Sequence, residues 1–347
     1  MRHTKRAGGR KMQAIVQRAT GGPEVLQVEE VADLLPGPGQ VVVRLRAAAL
    51  NRRDLYIRLG QYANIKLPIT PGSDGAGEVL AVGEGVTNVS PGQEVVINPS
   101  LEWGDDPRIP GASWRILGLP ENGAYAQQVL VPASAVLSKP EALSWEDAAA
   151  LPLAGLTAYR ALISRGQAQA GQTLLIPGIG GGVSSFVLLF AKRLGVRVLV
   201  TSSSDQKLAR ARDLGADEGF NYKTQNWVRE VRHATGGVGP DLVVDSVAGD
   251  TFNHILDVVR PGGRIVTYGS TLGPAPEVVV RRIFWKQLDV LGSTMGTAAE
   301  FQSMLDLFAN GNLRPVIDEV FPLAEAGAAQ ARMADSVQFG KIILSIA

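Results

Sequence analysis

The segment from residue 173 to residue 192 limits the possible fold of this chain more than any other part of the sequence. An apolar run, residues 173–177, leads into a glycine-rich loop and then into an amphipathic helical pattern. Strand, glycine loop and helix in this order are typical of a dinucleotide site, because glycine lets the backbone approach a pyrophosphate and the helix N-terminus stabilises its charge. The residues predicted to bind the phosphates are Gly178, Gly180, Gly181, Gly182 and Val183.

Strands and helices alternate throughout this part of the chain. The candidate strands are 173–177, 197–201, 218–222, 242–245, 264–268 and 289–292, and the candidate helices are 183–194, 205–214, 226–234 and 251–259. This alternation predicts a parallel, doubly wound sheet with its ligand across the carboxyl ends of the strands. The expected fold class is therefore α/β, with a Rossmann domain.

The rest of the chain has a different pattern. Short β runs at 40–46, 77–82, 93–97 and 124–131 are separated by Gly and Pro, which predicts an all-β sandwich or barrel. Ser144 to Asp147 forms a capping-box pattern that opens a helix running on past Pro152. A helical pattern at 299–310 and a β run at 340–346 follow, and we expect this last run to return to the first domain.

The composition restricts the class of protein and its partners. With 347 residues, of which 45% are hydrophobic and 19% charged, the chain is typical of a globular protein with about two domains. Its 34 Lys and Arg balance 33 Asp and Glu, so we expect neither nucleic acid nor a membrane as partner. The absence of cysteine excludes disulfides, thiol catalysis and Cys-containing metal sites, and it is typical of a reducing compartment, here predicted to be the cytoplasm.

The first eleven residues are basic and lack the apolar segment of a secretory signal. We predict a disordered extension there; a short arm that binds nucleic acid is the alternative.

Several motifs are similar to those of the medium-chain dehydrogenase/reductase superfamily over nearly the whole chain from Met12. They are Asn51-Arg-Arg-Asp54, the run from Pro71 to Val79, Gly85 with Pro91-Gly92, Leu153-Ala-Gly-Leu-Thr157-Ala-Tyr159, the glycine loop and Gly340-Lys341. The resemblance implies a GroES-like β-barrel catalytic domain at 12–136, a Rossmann domain at 137–298 and a return to the catalytic domain at 299–347, after an extension at 1–11.

The positions that bind catalytic zinc in the zinc-dependent members of this superfamily correspond here to Asn51, Ser73 and Leu153. An amide, a hydroxyl and an alkyl group do not replace two thiolates and an imidazole around zinc, and residues 98–119 contain no cysteine for a structural zinc. Asp54 and Asp74 are possible ligands of a hard ion. In the other interpretation, one of these carboxylates structures a turn and the other pairs with a nearby arginine. No metal site is predicted.

The resemblance therefore implies the zinc-free branch of quinone oxidoreductases and enone reductases. In that branch, the residues matching Asn51 and Thr157 lie beside the nicotinamide. Asn51 is alternatively a turn residue before a helix, and Tyr56 and Tyr62 are proton donors, walls of the substrate site or packing residues. The candidate catalytic residues are Asn51, Asp54, Tyr56, Tyr62 and Thr157.

The end of the second predicted strand favours NADPH as the cofactor. An acidic residue at this position selects NAD, whereas here the strand ends in hydroxyls that include Ser202 and Ser203. Lys207 offers a cation to a 2′-phosphate, unless it is a solvated charge on the helix surface. The resemblance adds Tyr222 as a residue that borders this pocket.

Loops after later strands are expected to complete the cofactor site, because they lie at the same edge of the sheet. The residues are Val247, Gly269, Ser270, Thr271, Ser293, Thr294 and Met295. Lys341 is a further candidate, or else a surface lysine at the start of a strand. Relatives pair the strand at 289–292 across a two-fold axis, which implies a homodimer.

Three functions follow from this sequence. The first is an NADPH-dependent reductase that acts on a small electrophilic substrate, a quinone or an α,β-unsaturated carbonyl compound, without a metal. The second is an alcohol dehydrogenase-like enzyme with an atypical metal site at Asp54 and Asp74, and the third is a non-catalytic NADPH-binding protein.

Overall fold

The structure is a computed structural model that describes residues 11–310 and 312–347. Unit 1 contains the described residues up to Leu153 together with Phe308–Val337 and Lys341–Ala347, and unit 2 contains Ala154–Leu307 and Gln338–Gly340. The unit boundaries therefore fall after Leu153 and Leu307, whereas the sequence placed domain boundaries after residues 136 and 298. Residues 1–10 of the predicted extension lie outside the described residues. Lys11 already belongs to a strand, so that strand begins one residue before the predicted domain.

The first part of unit 1 consists mostly of strands. In chain order its elements are β1 (Lys11–Gln17), β2 (Leu26–Ala32), β3 (Gln40–Ala49), α1 (Arg52–Arg58), β4 (Asp74–Val82), β5 (Glu94–Ile97), β6 (Ser100–Leu101), β7 (Arg115–Ile116), β8 (Gln128–Pro132), β9 (Val136–Ser138) and α2 (Trp145–Ala150).

Helix α3 (Pro152–Tyr159) follows, and a π-helical segment, Arg160–Arg165, continues it. Ser144 caps α2 through a hydrogen bond from the Asp147 N–H to its Oγ. The predicted single helix across Pro152 is instead two helices, because proline has no N–H to continue the hydrogen-bond ladder and fits the first position of a new helix.

Unit 2 then alternates strands and helices. They are β10 (Thr173–Ile176), α4 (Gly182–Arg193), β11 (Arg197–Ser202), α5 (Asp205–Asp213), β12 (Glu218–Asn221), α6 (Trp227–Ala234), β13 (Leu242–Asp245), α7 (Thr251–Val258), β14 (Arg264–Thr267), α8 (Val280–Trp285), β15 (Asp289–Gly292) and α9 (Ala298–Asp306). The chain ends in unit 1 with β16 (Ile317–Pro322), α10 (Ala326–Ala334) and β17 (Lys341–Ser345).

The sheet of unit 2 is a parallel, doubly wound sheet. Its strand order is β12-β11-β10-β13-β14-β15, with every neighbouring pair parallel. This order reverses direction between β10 and β13, which is the arrangement of dinucleotide-binding folds. The predicted Rossmann domain is confirmed.

The main sheet of unit 1 has seven strands in the order β16-β17-β3-β4-β5-β9, with β8 also paired to β3. Strand β3 is central because β8 pairs with its first half and β17 with Ala47 to Ala49, while β4 covers the other edge. Apolar side chains of these strands form one buried cluster that includes Val41, Val95 and Leu344. Among the described residues, no helix has the length and apolar character needed to cross a membrane.

Candidate functional site

The glycine loop of unit 2 connects β10 to α4 at the carboxyl end of the sheet. Gly178 and Gly180 have φ of +67° and +129°, in the region that side chains rarely adopt. The Gly178 N–H donates to Thr201 Oγ1 at 3.1 Å, and Gly181 is the N-cap of α4. The N–H groups of the first turn of α4, which contains Gly182 and Val183, have no partner within the helix, so this end stabilises negative charge.

Side chains from other segments lie directly against this loop. A Cβ added to Gly178 would lie 2.9 Å from Val247 Cγ2, and one added to Gly180 would lie 3.0 Å from Lys207 Cδ. The positive φ of these two glycines makes any side chain strained there, and a Cβ at Gly178 would also press on Val247. Val247 and Lys207, both predicted from sequence, are brought to the same loop.

The loops after β13 and β14 are joined at this edge of the sheet. The Ser246 carbonyl accepts from the Thr271 N–H at 2.9 Å and from Thr271 Oγ1 at 2.8 Å, and exposed Gly269 and Ser270 precede this contact. Asp245 holds the first of these loops by accepting from the Val247 N–H at 2.9 Å and the Ala248 N–H at 3.2 Å. Burial raises the pKa of Asp245, against the effect of these two N–H donors.

The serines at the end of β11 lead into helix α5, whose first turn contains Lys207. Ser204 caps α5 by accepting from the Lys207 N–H, and Ser202 Oγ accepts from the Ser204 N–H. Ser203 is half-buried between them. Lys207 is half-buried, and its Nζ lies 3.3 Å from where a Cβ of Gly180 would be, so this side chain extends along the glycine loop.

Two neighbours complete this region. Asp205 Oδ1 accepts from Asn221 Nδ2 at 2.8 Å, so the nearest carboxylate is engaged with the end of β12. The Tyr222 N–H donates to the Ser202 carbonyl at 3.0 Å, and the Tyr222 side chain is 47% exposed.

Thr157 and the loop after β15 meet in unit 2. Thr157 Oγ1 contacts Met295 Sδ at 4.0 Å, and Met295 is buried with a φ of +40°. Ser293 is tied to β14 through the Thr267 carbonyl, and its buried Oγ has no hydrogen-bond partner among the described residues. Thr294 is exposed. The glycine cradle and this unsatisfied hydroxyl fit a bound dinucleotide.

The second candidate region is a buried polar cluster at the start of α1 in unit 1. Asn51 is the N-cap of α1, and Asp54 Oδ2 accepts from the Asn51 N–H at 2.9 Å and from the Tyr125 hydroxyl at 2.9 Å. Burial raises the pKa of Asp54, against Arg53 and these two hydrogen bonds. Burial, together with the charge of Asp54, also raises the pKa of Tyr125 well above its usual value. The position of Asn51 agrees with both interpretations of this residue. Asn51 precedes a helix as its N-cap, and it also belongs to the buried polar cluster.

Lys341 lies at the centre of this cluster. Its Nζ donates to Asn51 Oδ1 at 2.8 Å, to Asp74 Oδ2 at 2.8 Å and to the Leu50 carbonyl at 2.7 Å. The surface alternative for Lys341 was wrong, because the residue is 2% exposed. The sequence suggested that one of the two aspartates pairs with an arginine. Asp74 pairs with a cationic side chain, but that side chain is Lys341.

Arg53 joins the cluster from α1 and was not predicted from sequence. Its Nη1 donates to Ser73 Oγ at 2.8 Å and to the Leu117 carbonyl at 2.9 Å, and it lies 4.0 Å from Asp54 Oδ1. The Tyr62 ring packs 5.2 Å from the guanidinium carbon, whereas half-buried Tyr56 lies farther along α1. The only sequence signal for a buried charged cluster at this place was the motif Asn51-Arg-Arg-Asp54, in which Asp54 was a candidate site residue.

The residues at the zinc positions do not fit a zinc ion. The Asn51 oxygen accepts from the Lys341 ammonium, the Ser73 hydroxyl accepts from the Arg53 guanidinium, and Leu153 has no ligating atom in its side chain. Asp74 does not offer an alternative, because its Oδ1 accepts from the Leu153 N–H at 2.9 Å while its Oδ2 binds Lys341. Two cationic side chains thus bind the oxygen atoms that a metal ion would need as ligands.

Comparisons with known proteins give matches over both parts of the chain. Residues 182–310 match the family described as zinc-binding dehydrogenase, and residues 37–141 match the alcohol dehydrogenase GroES-like domain. The zinc-type alcohol dehydrogenase-like protein YogA of Leptosphaeria maculans is 35% identical over 95% of this chain and 98% of its own length. A quinone oxidoreductase of Pseudomonas aeruginosa is also 35% identical, over 94% of this chain and 97% of its own.

A solved structure gives the same result at the level of the fold. The crystal structure described as an NAD-dependent alcohol dehydrogenase superposes with a TM-score of 0.92 and 39% identity, covering 97% of this chain and 100% of that one.

Proposed function

Because this chain belongs to the medium-chain dehydrogenase/reductase superfamily and is an oxidoreductase of its quinone oxidoreductase-like branch, we propose that it reduces quinones or α,β-unsaturated carbonyl compounds with NADPH and without a metal ion. The proposal depends on one observation. Lys341 and Arg53 donate hydrogen bonds to the side-chain oxygens of Asn51 and Ser73, which stand at two of the zinc positions. Hydride transfer to an electron-poor quinone or enone needs alignment and a hydrogen-bond donor for the developing oxyanion, but less help from a Lewis acid than the oxidation of an unactivated alcohol.

The residues of unit 2 would hold the dinucleotide. The glycine loop and the N-terminus of α4 suit its pyrophosphate, and the loops that contain Val247, Thr271 and Ser293 line the same edge of the sheet. When bound, the nicotinamide supplies the hydride. The transfer leaves negative charge on the substrate oxygen, and the Asn51 amide, whose Nδ2 has no partner within residues 11–310 and 312–347, is the donor we assign to that oxygen.

The charge near the end of β11 supports NADPH over NADH. Lys207 lies beside the loop, hydroxyls replace the expected acidic residue, and Asp205 is bound to Asn221. The solved structure is described as NAD-dependent, so NADH is the alternative cofactor to be tested against NADPH.

Steady-state turnover tests the reaction class. In the reduction assay, the full chain would be mixed with NADPH or NADH and with p-benzoquinone or methyl vinyl ketone. In the oxidation assay, it would be mixed with the oxidised cofactor and a primary alcohol. Both assays follow the near-ultraviolet absorbance of the reduced nicotinamide. We expect turnover of the quinone or the enone, with a higher kcat/KM for NADPH. Zinc-dependent alcohol oxidation that a chelator abolishes would support the atypical dehydrogenase instead, and tight NADPH binding with no turnover would support the non-catalytic alternative.

Replacing Lys207 tests the cofactor assignment. We expect Lys207→Ala to raise the KM for NADPH about tenfold or more, because a hydrogen bond to a charged group contributes roughly 1.5–3 kcal/mol. The KM for NADH should change by less than about twofold, since NADH has no 2′-phosphate to lose a contact. Lys192→Ala is the control, because Lys192 lies in the last turn of α4, at the opposite end from the loop, and pairs with Asp217. Equal effects of Lys207→Ala on both cofactors would contradict the assignment.

A further inference from the structure

The ammonium of Lys341 uses all three of its N–H donors inside the protein. Its partners are the Leu50 carbonyl, Asn51 Oδ1 and Asp74 Oδ2, all within 2.8 Å. A lysine ammonium has three donors and no acceptor. Lys341 therefore has no N–H left for a phosphate or a substrate. This arrangement argues against the direct contact between Lys341 and the cofactor that the sequence suggested.

This contact decides which way the Asn51 amide faces. The two ends of an asparagine amide are similar in shape and opposite in hydrogen bonding, because the oxygen accepts and the nitrogen donates. Only the oxygen can face an ammonium, so Nδ2 must lie on the other side of the amide. That nitrogen is buried and has no hydrogen-bond partner among the described residues, and Asn51 itself is 5% exposed. A buried N–H group without an acceptor in the protein takes its partner from outside the chain, from a bound water or from the ligand that displaces it.

Asp74 explains how a buried ammonium is tolerated here. Its carboxylate lies 2.8 Å from Lys341 Nζ and is itself fixed by the Leu153 N–H. The lysine and aspartate are 2% and 0% exposed, so the two charges are removed from water together. Such a pair adds little net stability compared with apolar residues, and its best-supported benefit is to specify one arrangement of neighbouring groups.

We propose that Lys341 is a positioning residue that locks the Asn51 amide with Nδ2 as the donor to the substrate carbonyl or quinone oxygen. The proposal rests on the proposed function for the identity of that oxygen. During reduction, hydride bonds to a ring or alkene carbon, the π electrons move to the oxygen, and the Asn51 N–H stabilises the charge that forms there; a proton from solvent completes the product. Lys341 does not touch the substrate and acts only through Asn51.

A double-mutant cycle separates this role from a direct one. Lys341→Met keeps the aliphatic stem and removes the ammonium, and Asn51→Ala removes the amide. We expect each change to lower kcat for methyl vinyl ketone or p-benzoquinone by about 10- to 100-fold while the KM for NADPH stays within about twofold. The double variant should be no slower than Asn51→Ala, because the lysine has nothing to position once the amide is absent. The proposal would be overturned if the loss of kcat in the double variant equalled the product of the losses in the two single variants. A raised KM for NADPH with unchanged kcat in Lys341→Met would also overturn it.

Lys139→Met is the matched control for removing a buried lysine of unit 1. Lys139 is also nearly buried and also has a carboxylate and carbonyls as partners, namely Glu94, Leu143 and Pro140. We expect this variant to keep the kcat of the unmodified protein. If Lys341→Met does not fold because Asp74 is left as a lone buried charge, the variant Lys341→Met with Asp74→Asn removes both charges and gives the same comparison.

A second measurement does not depend on turnover. In protein labelled with ¹⁵N at asparagine, the Asn51 side-chain amide resonance is identified by its loss in Asn51→Ala. We expect it to shift in Lys341→Met and to stay in place in Lys139→Met. A folded Lys341→Met protein with an unmoved Asn51 resonance would overturn the positioning role, whether or not any substrate is reduced. A shifted resonance in a protein that reduces none of the substrates would instead count against the proposed function alone.

Discussion

At the scale of single residues, Asp54 shows how burial changes the role of a candidate catalytic group. The motif Asn51-Arg-Arg-Asp54 made it a candidate for chemistry, but its carboxyl is fully buried, accepts from the Asn51 N–H and the Tyr125 hydroxyl, and stabilises the first turn of α1. These bonds give it a structural function in capping α1, and its catalytic function stays a prediction. Burial outweighs them and Arg53 in setting the direction of its pKa, which is raised.

The raised pKa of Asp54 predicts a specific pH dependence of stability. Between its ordinary pKa, about 3.9, and its higher value in the folded protein, the folded state binds more protons than the unfolded state, so Asp54 lowers the free energy of unfolding as the pH rises. Asp54→Asn keeps an oxygen for both donors and removes the titration. Its free energy of unfolding relative to the unmodified protein should increase from pH 4 upwards, as measured by urea denaturation at several pH values.

The exposed Asp213→Asn variant is the control for losing one carboxylate from the surface. A stability difference for Asp54→Asn that decreases as the pH rises would contradict the prediction.

At the scale of elements, the structure follows the sequence most closely where the signals are local. Strands β13 and β15 have the predicted bounds, and the predicted ends of β10, β11, α5 and α7 differ by one residue, because glycines, caps and apolar runs lie within each segment. Strands β2 and β16 were not predicted, since their polar, partly exposed sequences form strands only through pairing with β1 and β17.

The buried polar cluster of unit 1 depends on contacts between distant parts of the chain. Tyr125 is 71 residues from Asp54, and Lys341 is 290 residues from Asn51. Sequence motifs named three of these residues, but no local pattern indicates which side chain meets which, so neither Tyr125 nor the pairing of Arg53 with Ser73 was foreseen.

Strand β4 contains a glycine that the packing of two backbones requires. A Cβ on Gly77 would lie 2.0 Å from the Arg44 carbonyl oxygen of β3, beside the irregular register between Leu45 and Ala47. We expect Gly77→Ala to lower the free energy of unfolding by about 3 kcal/mol, because a backbone atom cannot move away as a side chain can. Gly111→Ala in the loop between β6 and β7 is the control, since the atom nearest to the added carbon, the Trp103 carbonyl oxygen, lies at an ordinary contact distance of 3.4 Å. Chemical denaturation followed by circular dichroism measures both, and equal midpoints would contradict the prediction.

At the scale of the whole molecule, the outer strand of the unit 2 sheet is the surface we propose for a homodimer. Among the described strands, β15 pairs with β14 alone, so no strand covers its other edge, where the Gly292 carbonyl accepts from Arg165 Nε at 3.0 Å. Large apolar side chains are exposed on and near it: Val280 (61%), Phe284 (58%), Trp285 (81%) and Val290 (37%). A second copy pairing antiparallel along β15 would satisfy the backbone and cover these side chains.

Charge at this edge is expected to separate the two copies. Val290→Lys should lower the mass measured by light scattering during gel filtration from that of a dimer to that of a monomer at low micromolar concentration. Val320→Lys is the control, because Val320 is exposed on β16, the outer strand of the unit 1 sheet. A mass that falls only with Val320→Lys would place the interface on the other sheet, and a monomer before any substitution would contradict the dimer.

The pairing of β17 with β3 determines when unit 1 can be completed during synthesis. Ala47 to Ala49 leave the ribosome early, but their partners Ile343 to Ser345 are translated only after all of unit 2 has been made. Until then the nascent chain exposes an unpaired edge on its central strand, where pairing with another chain leads to aggregation. Lys341 emerges just before those partners, so the Asn51 amide acquires its orienting ammonium only after unit 2 has been translated.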